Sequence, residues 1–85
     1  MTTITPEQCR AARSLLGWSQ EELAAQTGIS RPTIAEFERG TRTPYPNNMT
    51  AMLEVFEAAG VVFIDDGKPS PKGGVGVRLR DKSGK

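Results

Sequence analysis

The sequence predicts a mostly α-helical fold, four helices followed by a β-hairpin, and three observations predict it. Thr5-Pro6-Glu7-Gln8 and Ser19-Gln20-Glu21-Glu22 both have the hydroxyl-then-Gln/Glu spacing of a capping box, a signal for a helix start. Met49, Met52, Leu53 and Phe56 recur at the spacing of one buried helical face. After Gly60 the period changes to two, with Val75, Val77 and Leu79 alternating with glycine or arginine, the pattern of a strand covered on one face.

The first helix opens at the Thr5 cap, tolerates Pro6 in its first turn, and runs to about Leu16 before Gly17. Its expected apolar side is Cys9, Ala12, Leu15 and Leu16, with Ile4 stapling its start. The second opens at Ser19, buries Leu23 and Ala24 over two turns, and stops at Thr27-Gly28, where glycine suits a sharp turn. The third is capped by Ser30, carries Pro32 in its first turn, turns Ile34 and Phe37 inward, and ends by Gly40. A polar connection from Thr41 to Asn47, pinned by Pro44 and Pro46, leads to the fourth helix, from about Asn48 to Ala59. Val61 to Ile64 and Gly74 to Arg80 are the expected strands, 65–73 the polar loop between them, and 81–85 a disordered tail.

Composition excludes more than it selects. The chain has 85 residues, enough for one small domain that buries only about 60% of its unfolded surface, so a second subunit is a natural source of further core. One cysteine and no histidine exclude an internal disulfide and leave no zinc set. No glycine-rich loop with a following lysine is present and no carboxylate pair stands in a catalytic context, so an enzyme is not expected, nor any cofactor or metal. Asp65 and Asp66 lack the spacing of a calcium loop. No signal-peptide pattern precedes the first helix and no apolar run approaches the ~20 residues that span a bilayer, so a cytoplasmic protein without a membrane partner is expected. The net charge is only +1, from 11 basic and 10 acidic residues, so any contact with nucleic acid rests on the placement of a few charges.

That placement favours the third helix. Arg31, Pro32, Thr33 and Glu36 fall away from Ile34 and Phe37, on a polar face of the size that enters a major groove. Arg31 has the donors for guanine O6 and N7, Glu36 the acceptor for a cytosine amino group, Thr33 a hydroxyl or methyl, and Pro32 an apolar surface for a thymine methyl. The competing reading is an ordinary solvated helix face. Ser19 and Gln20 open the second helix, where free N–H groups and the Gln20 amide suit a phosphate; Glu21 and Glu22 oppose one there unless Glu22 is committed to its cap and Glu21 points away. Arg39, Thr41, Arg42 and Thr43 are further phosphate candidates, against the plainer reading of solvated loop residues. Arg13 and Glu38 are expected to form a structural ion pair, and Arg10 to face solvent or phosphate. Trp18 is expected to plug the junction of the first two helices, Cys9 to be a small buried hydrophobe, and Tyr45 to serve either as a linker anchor or as a contact to the DNA backbone.

The stretch from Ala11 to Ala24, with Gly28-Ile29-Ser30, Thr33-Ile34 and Phe37-Glu38-Arg39-Gly40, resembles the helix-turn-helix family of lambda-type repressors and Cro proteins, often called the XRE family. The resemblance implies a lambda-repressor-like DNA-binding domain over about residues 4–60. It implies that Gln20 holds a phosphate, that Arg31, Pro32 and Glu36 face bases, that Arg13 and Glu38 form an internal ion pair, and that positions 39–43 follow the DNA backbone. Pro32 and Glu36 depart from the residues common in the family, so its target sequences do not transfer. The family's usual fifth helix is replaced by the strands.

Residues 61–80 are accordingly expected to form a dimerisation extension in which Val61, Val62, Phe63, Ile64, Val75, Val77 and Leu79 pair across a two-fold axis; the alternative is a hairpin folded only onto its own fourth helix. Two such units would meet half-sites about one turn, ~34 Å, apart. The expected function is a homodimeric, sequence-specific regulator of double-stranded DNA, a repressor. The alternative is an interaction module, antitoxin-like or an anti-activator, whose helices or strands grip a protein partner.

Overall fold

The computed structural model describes residues 3–64 and 74–80, and the loop and tail expected at 65–73 and 81–85 lie outside them. Four helices, α1 (Pro6–Leu16), α2 (Gln20–Thr27), α3 (Arg31–Glu38) and α4 (Pro46–Ala58), precede the strands β1 (Val61–Ile64) and β2 (Gly76–Leu79). The expected order of helices and hairpin is therefore present. The strands pair antiparallel in the register Val61↔Leu79, Val62↔Arg78, Phe63↔Val77 and Ile64↔Gly76.

Local chemistry sets the helix ends. The Thr5 hydroxyl accepts from the Gln8 amide while the Gln8 side chain accepts from Thr5, and Ser19 and Glu22 repeat the exchange at α2. Ser30 accepts from the Thr33 amide to start α3. Between α2 and α3 the chain reverses at Gly28, whose φ of 78° belongs to the left-handed region that costs a side-chain-bearing residue roughly 1–2 kcal/mol. The fourth helix starts two residues earlier than the sequence suggests. Pro46 takes its first position, and Tyr45 stands at the cap with no side-chain hydrogen bond, so no capping residue marked the start.

One core holds these elements together. Cys9 and Ala12 of α1, Leu23 of α2, Ile29, Ile34 and Phe37 around α3, Met49, Met52, Leu53 and Phe56 of α4, and Val61 of β1 are buried together with Ile4. Trp18 packs against this core and stacks on Phe56 at 5.9 Å, and Phe63 meets Phe56 edge-on at 5.9 Å. Leu15, expected on the apolar side of α1, is instead 42% exposed. The buried stripe runs through Gln8, Cys9 and Ala12 towards Leu16, and Leu15 stands at its edge in the last turn of α1.

The hairpin packs on two helices, β1 on α4 and β2 on α1. Gln8 explains the second contact. Its side chain is 2% exposed, and its amide donates to the carbonyls of Ile64 at 3.3 Å and Gly76 at 3.0 Å while still capping α1. Strand β2 begins at Gly76 rather than Gly74, so Val75 precedes it. Of the seven apolar hairpin residues expected to meet a second chain, Val61 is buried in the monomer, Phe63 and Val77 pack on the core, and Val62 and Ile64 are half-buried. Val75 and Leu79 remain open, 45% and 41% exposed.

Candidate nucleic-acid interface

The start of α2 and the outer side of α3 form one continuous surface, and a buried carboxylate beneath it sets its geometry. Glu38 is 4% exposed. Its Oε1 accepts from Arg13 at 2.7 Å and from the Gln20 amide at 2.9 Å, and its Oε2 accepts from Arg13 Nε at 2.8 Å and from the Cys9 thiol at 3.1 Å. One carboxylate thus joins α1, α2 and α3. Burial alone pushes the Glu38 carboxyl up, but the hydrogen bonds from Arg13, Gln20 and Cys9 outweigh it and hold it below the ordinary carboxylate range. The hydrogen bond to Glu38 in turn raises Arg13. Burial and the neighbouring carboxylate push the Cys9 thiol well above its usual value, so it stays protonated and inert.

Above this network the expected site residues fall into three groups. Arg31 and Pro32 stand exposed at the start of α3, with Thr33 and Glu36 half-exposed beside them, while Ile34 and Phe37 face the core. Ser30 donates to the Thr33 hydroxyl at 2.9 Å, which commits that hydroxyl to the cap. Arg31 donates to Gln20 Oε1 at 3.3 Å and lies 3.7 Å from Glu21. The Gln20 amide is therefore held with its nitrogen on Glu38 and its oxygen towards Arg31. Glu22 is committed to its cap, as phosphate binding requires, but Glu21 leans towards α3 rather than away from it.

The second group lies in a groove of about 790 Å³ where α1, α2 and α3 meet, lined by Arg10, Arg13, Gln20, Arg31, Glu38, Arg39 and Thr41 among others. Arg39 is exposed and has no side-chain partner among the described residues. Arg10 donates to the Glu38 carbonyl at the end of α3, which brings a fourth guanidinium to this groove. Its sequence position left solvent and phosphate equally open, since only the packing of α1 on α3 decides the direction.

The third group follows α3. Gly40, with φ 80°, turns the chain so that the Thr41 amide and hydroxyl both donate to the Glu36 carbonyl, each at 3.0 Å. Arg42 then reaches back to Glu36 at 3.0 Å. A groove of about 290 Å³ beside this pair is lined by Thr33, Arg42, Thr43, Pro44, Tyr45 and Asn48. Pro44 is buried and anchors the connection, whereas Tyr45 is exposed. Asn48 joins the site only because α4 begins at Pro46, which puts it in the first turn; starting the helix at Asn48 hid that.

A helix-turn-helix family model matches residues 10–59, more than half of the chain. The protein belongs to this helix-turn-helix family, and with that family comes a DNA-binding regulatory role rather than an enzymatic one. The matched segment takes in all three groups of surface residues and, apart from Cys9, the Glu38 network. No curated protein matches the chain. Among the described residues no group of three or more histidine, cysteine, aspartate or glutamate side chains is arranged to hold a metal, and no helix is long and apolar enough to cross a membrane.

Proposed function

We propose that the protein is a sequence-specific regulator of double-stranded DNA of the XRE type, acting as a homodimer that represses by occupying its operator. The observation that carries this reading is the open polar face of α3, where Arg31, Pro32 and Glu36 are accessible while Ile34 and Phe37 anchor the helix from beneath. Arg31 reads guanine and Glu36 the amino group of cytosine, with Pro32 and the Thr33 methyl as apolar contacts. Ser19, Gln20, Arg39 and Thr41 around the larger groove, and Arg42 and Thr43 beside the smaller one, contact backbone phosphates. Residues 4–60 act as the DNA-binding unit and the strands after Gly60 as its dimerisation extension, so the operator is a near-palindrome with half-sites about one turn, ~34 Å, apart.

A protein-interaction role, antitoxin-like or anti-activator, is the second reading. It is favoured by the carboxylates of Glu21 and Glu36, which hold Arg31 and Arg42 in ion pairs. Selection of bound duplexes from a random pool separates the two. The regulator enriches a two-fold symmetric site and loses affinity steeply with salt, and Arg31→Ala erases the preference at one base position, a loss of roughly 1–3 kcal/mol. A pool from which nothing is enriched refutes this reading and leaves the protein-binding one.

A further inference from the structure

Arg42 and Glu36 are two expected contacts that the protein already spends on each other, at 3.0 Å, with both side chains close to half exposed. The pair is built into the end of α3. Thr41 donates twice to the Glu36 carbonyl, and this holds the start of the connection against the helix so that Arg42, six residues on from Glu36, folds back over it. The Arg42 guanidinium therefore faces a carboxylate that occupies the place of a phosphate oxygen. The contact is solvent-exposed and weak, so it can exchange.

We infer that Glu36 and Arg42 form an exchange pair that makes one phosphate contact conditional on the base being read. This rests on the DNA-binding reading above and deepens it. A duplex that presents a cytosine amino group to Glu36 gives that carboxylate a donor. That donor shares the carboxylate's negative charge with Arg42, which is bound through Oε1 alone, and the guanidinium so loosened passes to a backbone phosphate. A duplex that presents an acceptor such as guanine O6 or thymine O4 leaves Glu36 without a donor from the base. The carboxylate keeps Arg42, and the protein makes one phosphate contact fewer. Arg42 thereby acts as a specificity-determining residue although it touches no base, and Glu36 discriminates twice, once through its own hydrogen bond and once through the arginine it releases. Arg31 and Glu21 do not form an equal device, since their separation is 3.7 Å and Glu21 is largely in solvent.

Salt dependence counts phosphate contacts. The slope of log K against log salt changes by about 0.9 for each phosphate neutralised. The test uses the site selected from the random pool by the 85-residue chain, and a second duplex altered only at the base pair whose preference is lost by Glu36→Ala. For the unmodified protein the slope on the selected site is expected to be steeper than on the altered one by about 0.9, one contact. In Arg42→Ala the two slopes become equal, and its affinity loss is several-fold larger on the selected site. Equal slopes for the unmodified protein, or an Arg42→Ala loss of the same size on both duplexes, overturn the exchange while leaving the regulator intact. A chain that enriches no duplex overturns the regulator reading itself, and the exchange with it.

Discussion

Glu38 shows how a single side chain below the surface governs what lies above it. Its four hydrogen bonds satisfy a carboxylate that burial would otherwise protonate, and the fourth helix-bridging contact, from Gln20, decides which end of that amide faces Arg31. Because the folded-state value is depressed, Glu38 contributes stability that is complete above the unfolded carboxylate pKa, about 4.3, and is lost as pH falls through the lower folded value. Glu38→Gln leaves Arg13 without its counter-charge in a site where that guanidinium is only 18% exposed, and is expected to cost about 3 kcal/mol at neutral pH. Urea unfolding between pH 7 and 2 checks this: the difference between the two proteins narrows with acidification, because the unmodified protein loses what the variant already lacks. Parallel curves across the whole range would remove Glu38 as the source of that acid sensitivity.

At the scale of elements, Gln8 connects two pieces of structure that no local pattern relates. It caps α1 through its oxygen and holds the Ile64–Gly76 end of the hairpin through its nitrogen. Gln8→Glu keeps the cap acceptor but turns a donor into an acceptor against two carbonyls, whereas Gln8→Leu removes both functions. Either variant is expected to cost about 2 kcal/mol, and amide exchange in Val61–Ile64 is expected to quicken in both, with the start of α1 preserved only in Gln8→Glu. Unchanged exchange in β1 would show that the hairpin is held by its apolar contacts alone. The division between what the sequence reveals and what it hides follows the same line. Thr5, Ser19 and Ser30 announce their helices because capping needs only residues three apart, and the Met49 to Phe56 stripe announces a buried face because that face is one element's own geometry. The cap role of Gln8 was legible for this reason. Its hold on carbonyls 56 and 68 residues away was not, nor was the outward turn of Leu15, because both depend on which side of α1 its neighbours occupy. In the site, the polar face of α3 was likewise readable from one helix's periodicity. The folding back of Arg42 onto Glu36 and the arrival of Arg10 at the end of α3 depend on chain reversals and on packing between helices.

For the molecule as a whole, the proposed dimer turns on which part of the hairpin the monomer leaves open. Burial of Val61 and packing of Phe63 and Val77 commit one side of the hairpin to the monomer's own core, so the apolar surface left for a second copy is concentrated at Val75 and Leu79. Beside Val75 lies a largely apolar notch of about 160 Å³, bordered by Ala11, Gly76 and Val77 and rimmed by Glu7. Exposed residues of this kind are where charge is tolerated by the monomer and refused by a two-fold contact, which would set each new charge near its own symmetry mate. Val75→Lys combined with Leu79→Lys is therefore expected to leave the helical signal and the unfolding midpoint nearly unchanged while shifting the sedimenting species from dimer to monomer. The consequence reaches the DNA. A dimer meets both half-sites at once, with the second contact made at the high effective concentration set by the first, so losing it is expected to weaken binding to the full operator by at least 100-fold. Binding to an isolated half-site, which one copy of α3 reads alone, should be nearly the same for both proteins. If the doubly substituted chain still sediments as a dimer, the contact between copies lies elsewhere than these two positions; if it is monomeric but binds the full operator as tightly as before, the two copies read their half-sites independently.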